Sequence, residues 1–337
     1  MSQITIIDLA KRLGLSKSTV SRAFRDSSDI SAKTKERILA MADELGFSPN
    51  LYASNLRVNR SRTIAIIIPE FGDNFFSQAI KGIELIARNE KYHTLIYVTD
   101  SNVHNEASIV RSLVNGRVDG VLISASGEGK DHSHLQTLID HSIPVVFFDR
   151  SYEDIHTNFV TGNDFESSRL ATQHLIDSGC DKIAYFTINQ MVSIGKVRLE
   201  GYKKGLEDNG KIFQDHLLLD TENDELINRR DIRNFIREQK PDAIFASVER
   251  LAISTIRVAK EEGIRIPEDL KLICYSCLEI ADLLEPSLSV VKQPAFEMGR
   301  VAAKYLMEEI NEPKSYLNQE ITLLSSSLLL QESTATT

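Results

Sequence analysis

Short apolar runs recur through residues 61 to 330, and helical periodicity fills the stretches between them. The runs are Thr63–Ile68, His93–Thr99, Val118–Ser124, Ile143–Asp149, Lys182–Thr187, Asp242–Ala246 and Leu270–Tyr275. A strand with one wet face alternates apolar and polar residues, whereas a continuous apolar run belongs to a sheet covered on both faces. Strands interleaved with amphipathic helices pair in parallel, because each helix carries the chain back to begin the next strand. This part of the chain is predicted to be an α/β body on parallel sheet. A length of 337 residues suits two or three packing units.

No run of 18 apolar residues occurs, so a membrane-spanning helix is not expected. Met1–Thr5 lacks the basic stretch and apolar core of a secretory signal. Three cysteines cannot all pair within one chain, which fits a reducing compartment. A cytoplasmic location is expected.

The first sixty residues differ in kind. Thr5 is placed to cap a helix with Asp8 in its first turn, and Ile6, Leu9, Ala10 and Leu13 repeat at helical spacing. Gly14 ends that helix because it tolerates positive φ. Ser16 then caps a second helix, whose Val20, Ala23 and Phe24 face inward and whose Lys17, Ser18, Ser21 and Arg22 face outward. Two short helices joined by a glycine turn, the second polar and basic outside, form a helix-turn-helix. Ser31 caps a third helix, and its Ile38, Met41, Ala42 and Leu45 complete a small core. Residues 1–62 hold 11 Lys+Arg against 6 Asp+Glu, although the whole chain carries −9. A basic head on an acidic body suits local phosphate contact and discourages non-specific adhesion; a solvated basic surface is the plainer alternative.

Read together, Thr5-Ile6-Ile7-Asp8-Leu9-Ala10, Gly14-Leu15-Ser16 and Thr19-Val20-Ser21-Arg22 resemble the DNA-binding head of the lactose-repressor/galactose-repressor (LacI/GalR) family of bacterial transcriptional regulators. Gly46-Phe47-Ser48-Pro49-Asn50 and Ala53-Ser54-Asn55-Leu56-Arg57 match the family's hinge helix. The resemblance runs through nearly the whole chain. It implies an all-α helix-turn-helix head (1–48), a hinge helix and linker (49–61), a two-lobed effector-binding and dimerisation domain (62–330) and a polar tail (331–337). The body then resembles the periplasmic sugar-binding-protein fold, its parallel-sheet lobes joined near Thr161-Gly162 and again near Ser289–Gln293. The implied partners are a palindromic double-stranded DNA operator, a second copy of the chain and a small effector, a sugar or sugar phosphate. No cofactor and no metal are implied. Residues 331–337 lack leucine heptads, so a dimer rather than a tetramer is expected.

Carried over residue by residue, Lys17, Ser18 and Arg22 reach base edges in the major groove, while Ser16, Thr19 and Ser21 touch phosphates. Arginine and lysine suit guanine O6 and N7, and hydroxyls and helix N-termini suit phosphate oxygens. Thr5, Asn50, Ala53 and Arg57 complete the expected DNA-facing set. Leu56 is expected to wedge into the minor groove at the operator centre. The alternative, that Leu56 packs against the body, has few apolar neighbours in sequence to support it. A segment so polar buries too little surface to fold alone and is expected to order on DNA.

The effector would lie between the lobes, at the carboxyl ends of strands. The resemblance places Asp73, Phe75, Phe76, Asp149, Arg150, Arg198, Val248, Ser276 and Gln293 there. Phe75 and Phe76 offer an aromatic platform, or else core packing; Asp149 and Arg150 offer a carboxylate and a guanidinium, or else a mutual ion pair. Two positions depart from the family pattern. Ser247-Val248-Glu249 stands where Asn-Asp is common, and Tyr275-Ser276-Cys277 stands where a carboxylate is common. Valine cannot bond a hydroxyl, so the ligand choice differs from that of sugar-binding members, and a non-sugar effector or none is the alternative.

Catalytic signatures are missing: there is no Gly-x-Ser-x-Gly elbow, Walker A loop, His-Glu-x-x-His or dinucleotide glycine pattern. Gly127-Glu128-Gly129-Lys130 lacks phosphate-loop spacing and reads as a plain loop. Cys274-x-x-Cys277 is only half a zinc site; a thiol sensor and a pair of buried inert cysteines are its two readings. No enzyme is expected.

Overall fold

The computed structural model describes residues 4–24, 29–47, 60–127, 131–188, 192–312 and 320–335. The chain divides into two compact units, Met1–Ser61 and Arg62–Thr337. Among the described residues no helix is long and apolar enough to cross a membrane.

The first unit is all-α: α1 (Ile6–Leu13), α2 (Lys17–Ala23) and α3 (Ala32–Glu44). Thr5 and Asp8 form a reciprocal capping box, Thr5 N–H donating to Asp8 Oδ2 at 3.0 Å and Asp8 N–H to Thr5 Oγ1 at 3.3 Å. Gly14 sits at φ +66°, and the Leu15 N–H reaches back to the Ala10 carbonyl at 3.0 Å. That left-handed residue turns the chain within one step, which brings α2 across α1. Leu9, Leu13, Val20, Ala23 and Ile38 close the core, and Arg37 Nη2 ties α3 to the Leu13 carbonyl at 2.9 Å. Asn50, Ala53, Leu56 and Arg57 lie outside the described residues.

The second unit holds two lobes. Lobe 1 carries β1 (Thr63–Ile68), β2 (His93–Val98), β3 (Gly120–Ile123), β4 (Val145–Phe148), β5 (Phe159–Gly162) and β11 (Ile321–Leu324), in spatial order β11-β5-β4-β3-β1-β2. Lobe 2 carries β6 (Ile183–Ile188), β7 (Leu218–Thr221), β8 (Ala243–Ala246), β9 (Lys271–Tyr275), β10 (Ser289–Lys292) and β12 (Ser327–Leu329), in order β12-β10-β9-β8-β6-β7. Every pairing is parallel except β12 against β10. Along β1, Ile64, Ile66 and Ile68 enter one core and Ala65 and Ile67 enter the core on the opposite face. Both faces are dry, which is why the strand reads as an unbroken apolar run. β2 departs from that expectation. It is an edge strand paired only with β1, and its Leu95 and Ile96 stay well exposed.

Helices cover each sheet: α4 (Asn74–Asn89), α5 (Val103–Leu113) and α6 (Ser133–Asp140) in lobe 1, and α7 (Asp164–Asp177), α8 (Ser193–Asp208), α9 (Glu225–Gln239) and α10 (Glu249–Glu262) in lobe 2. After β10 the chain returns to lobe 1 as α11 (Ala295–Asn311), packed on α4. The two helices touch through glycine: a Cβ on Gly82 would lie 2.0 Å from the Phe296 carbonyl oxygen, and one on Gly299 2.0 Å from that of Ala79. In lobe 2 a Cβ on Gly201 of α8 would lie 2.2 Å from the Phe165 oxygen of α7.

The chain passes between lobes near Gly162, near Gln293 and, unexpectedly, a third time from β11 to β12. The C-terminal segment is also more than a polar tail. Ser333 and Thr334 are buried; Ser333 Oγ accepts from the Ser289 N–H at 2.8 Å and donates to the Leu272 carbonyl at 2.6 Å.

Candidate functional site

In the first unit, α2 presents two faces of different chemistry. Val20 and Ala23 are buried, while Lys17, Ser18 and Arg22 are exposed. Ser16 caps the helix, its Oγ accepting from the Thr19 N–H at 3.1 Å, and the Ser18 and Thr19 hydroxyls each lie 2.8 Å from that same oxygen. Arg22 stands 4.0 Å from Asp29 with both side chains largely exposed, an ion pair too wet to hold it firmly. Hydroxyls, helix N–H groups and two cations thus gather on one side of a short helix. Thr5 sits outside this face, at the start of α1 within its own capping box.

In the second unit the strand orders reverse at β1 and at β6, the switch points where parallel sheets leave a crevice beyond their carboxyl ends. A cavity of about 940 Å³ opens there between the lobes, lined from lobe 1 by Asp73 and Arg150 and from lobe 2 by Val248 and Glu249. Asp73 caps α4 through the Phe75 N–H at 2.8 Å. Burial, with Glu249 and Glu70 facing it, raises its carboxyl above the ordinary range.

Beneath the cavity lies a buried charge network. Asp149 occupies φ +64°, with Ser124 Oγ donating to Oδ2 at 3.2 Å and Arg150 Nε at 3.5 Å from the same oxygen. Burial pushes its carboxyl up to about 6, against the pull of Arg150 and Arg198. Arg198 is 3% exposed; its Nε donates to Asp164 Oδ1 at 2.7 Å and its Nη1 to the Ser247 carbonyl at 2.8 Å. Its guanidinium lies 3.9 Å over the Tyr275 ring. Arg198 Nη2 has no hydrogen-bond partner, nor has Nε2 of Gln293, itself 7% exposed. Buried donors left unmade are costly.

The expected aromatic platform is not on the cavity wall. Phe75 is 4% and Phe76 1% exposed, packed edge-to-face at 5.2 Å within the lobe 1 core. α4 begins at Asn74, and its first apolar turn is drawn against the sheet. Ser276 is buried too and donates through Oγ to Glu249 Oε2 at 2.5 Å. Glu249 escaped the sequence reading, which stops at Val248; it also accepts from Asn74 Nδ2 of the opposite lobe at 2.6 Å. Arg250 spans the mouth in the same way, Nη2 donating to Glu70 Oε2 at 2.9 Å. Asp164 escaped as well, although a buried Arg198 demands a carboxylate.

All three cysteines are buried and unbridged. Burial pushes the Cys180 thiol up to about 11 and that of Cys277 up to about 12, and holds Cys274 well above its usual range. No cysteine here has the lowered pKa that a reactive thiol needs.

Residues 5–50 match the profile described as bacterial regulatory proteins, lacI family, and residues 172–334 match that of a periplasmic binding protein-like domain. The chain is 30% identical to the HTH-type transcriptional repressor PurR of Vibrio atlanticus (strain LGP32) across 91% of its own length and 92% of that protein. It is 27% identical to the ribose operon repressor of Haemophilus influenzae across 98% of both chains. Among solved structures it superposes on the lac repressor dimer bound to operator and the anti-inducer ONPF, with TM-score 0.85, 23% identity and 99% coverage of each chain.

Proposed function

The chain belongs to the lacI family of bacterial regulatory proteins, and from that premise we propose that it represses genes from a palindromic operator under the control of a small molecule held between its lobes. The observation that carries this reading is the outward face of α2, where Lys17, Ser18 and Arg22 stand exposed beside the hydroxyls of Ser16 and Thr19. One such helix reads one half-site, and a two-fold dimer reads a palindrome. Ser16, Thr19 and Ser21 hold phosphates, Thr5 assists at the start of α1, and Asn50, Ala53, Leu56 and Arg57 extend the contact into the minor groove. The protein works in the cytoplasm, beside the DNA it reads.

The family's members are regulators rather than enzymes, so the cleft is a binding site without a reaction. Asp73, Asp149, Arg150, Arg198 and Gln293 form its polar side, Val248 and Ser276 its altered positions, and Phe75 and Phe76 support it from the core. An effector that binds one arrangement of the lobes more tightly shifts the protein toward that arrangement, and so changes its affinity for the operator. One relative's name speaks of a ribose operon, which sets small polar metabolites as the broad class.

Genome-wide footprinting at physiological salt tests the operator. Discrete palindromic sites are expected, and protection without them overturns the model. Lys17→Ala and Arg22→Ala should each relax base discrimination by about 1–3 kcal/mol in competition binding. Equal weakening on every sequence would instead assign these side chains to the phosphates.

A further inference from the structure

Taking the cleft as the effector site proposed above, we infer that its two lobes are held together by the protein's own side chains without a ligand. Glu249 is the clasp, and the lobe arrangement it holds sets the affinity for the operator. Glu249 begins α10 of lobe 2 and is 8% exposed. Its Oε2 accepts from Ser276 Oγ of the same lobe at 2.5 Å, and its Oε1 accepts from Asn74 Nδ2 of lobe 1 at 2.6 Å. The first bond orients the carboxylate, and the second carries it across the cleft. Further rungs flank it. Glu70 of lobe 1 accepts from Arg250 Nη2 at 2.9 Å and from Asn223 Nδ2 at 3.2 Å, both of lobe 2. Along α4, Asn74, Gln78 and Lys81 share one face at i, i+4 and i+7. Gln78 Nε2 donates to Glu279 Oε1 of lobe 2 at 2.5 Å, and Lys81 Nζ stands 4.0 Å from the same oxygen.

Among these contacts the inner one governs. Lys81 and Glu279 are more than half exposed, and an ion pair so wet contributes little. Glu249 is nearly dry. A buried carboxylate deprived of its donor must draw water in its place, and parting of the lobes supplies that water. Because water can replace Asn74 in this way, the net strength of the clasp is modest, which leaves it open to being overridden by a bound effector. Ser276 decides which way Glu249 turns: a serine donates to it, whereas the carboxylate common at that position would repel it. Val248 beside it offers no competing polar group. The departures at 248 and 276 thus act as one device, in which a place that would serve a ligand serves the opposite lobe.

The test uses the full-length protein carrying His104→Cys on α5 and Lys196→Cys on α8, both exposed positions, with spin labels attached. The three native cysteines are buried. Labelled chain is diluted into dimers with unlabelled chain at mildly alkaline pH, and electron double resonance reads the distance between lobes. Fluorescence anisotropy reads operator affinity, and a cooperative melting transition shows that each variant is folded. Asn74→Asp sets two carboxylates face to face and should lengthen and broaden the interlobe distance with no ligand present. Operator affinity should shift with it by about fivefold or more. Adding Glu249→Gln to Asn74→Asp exchanges donor and acceptor, and should restore both distance and affinity. A merely structural role for either residue would instead compound the damage. An unchanged distance in folded Asn74→Asp, or a double variant no closer to the parent than the single one, would overturn the clasp, while intact operator binding leaves the regulator reading standing. A distance that moves with no change in operator affinity would overturn control through the cleft, and with it the link from clasp to operator.

Discussion

Asp149 combines two costs at one position: a left-handed backbone at φ +64° and a carboxylate removed from water. Strain of this kind persists where surrounding structure enforces it, and it clusters at ligand sites. The carboxyl titrates at about 6 in the fold but near 3.9 in an unfolded chain. Its contribution to stability is therefore complete below about pH 4 and is lost as pH rises through about 6, a difference of about 3 kcal/mol. Asp149→Asn should flatten this part of the melting-temperature profile between pH 4 and 7, and an unchanged slope would assign it elsewhere. Asp149 and Arg150 were legible in the sequence because they end an apolar run. Glu249 and Asp164 were not: a carboxylate at the start of a helix looks like any first-turn charge until a partner from another element faces it. Phe75 and Phe76 misled for the converse reason, since an aromatic pair reads alike whether it faces ligand or core.

Among the elements, the contacts α4–α11 and α7–α8 depend on the absence of side chains. Carbonyl oxygens occupy the places where the Cβ atoms of Gly82, Gly299 and Gly201 would stand. Gly299→Ala must push α11 away from α4, and overpacking of this sort costs about 1–3 kcal/mol. Chemical denaturation should show that loss with the helix content retained, and an undiminished midpoint would mean that the crossing relaxes freely. Such glycines are invisible as packing devices in sequence, where each is only a residue with poor helix propensity. The long buried strands were legible, because six residues of unbroken apolar character have few other uses. β11 and β12 were not. Each is an edge strand of three or four residues with alternating exposure, and a pattern that short resembles loop.

At the scale of the whole molecule, the last residues fasten lobe 2. Ser333 and Thr334 fill hydrogen-bonding positions on Ser289 and Leu272, and Glu332 accepts from the Ser287 N–H at 3.0 Å. A chain ended at Leu330 leaves those buried groups unpaired, at about 1–3 kcal/mol each. It should melt at a lower temperature than the full chain, and an equal melting temperature would show that water replaces the segment. The third passage between lobes has a different consequence, for the order in which the protein is made. Lobe 1 begins with β1, yet its sheet lacks the edge strand β11 and the covering helix α11 until nearly the whole chain has left the ribosome. The helical head, built from neighbours in sequence, has everything it needs early. Lobe 1 must instead wait, with the apolar face that α11 will cover bare to water while all of lobe 2's parallel strands are synthesised. An incomplete lobe with such a face is open to aggregation. The lobe begun first is thus completed almost last, and the growing chain needs protection during that interval more than the finished molecule ever does.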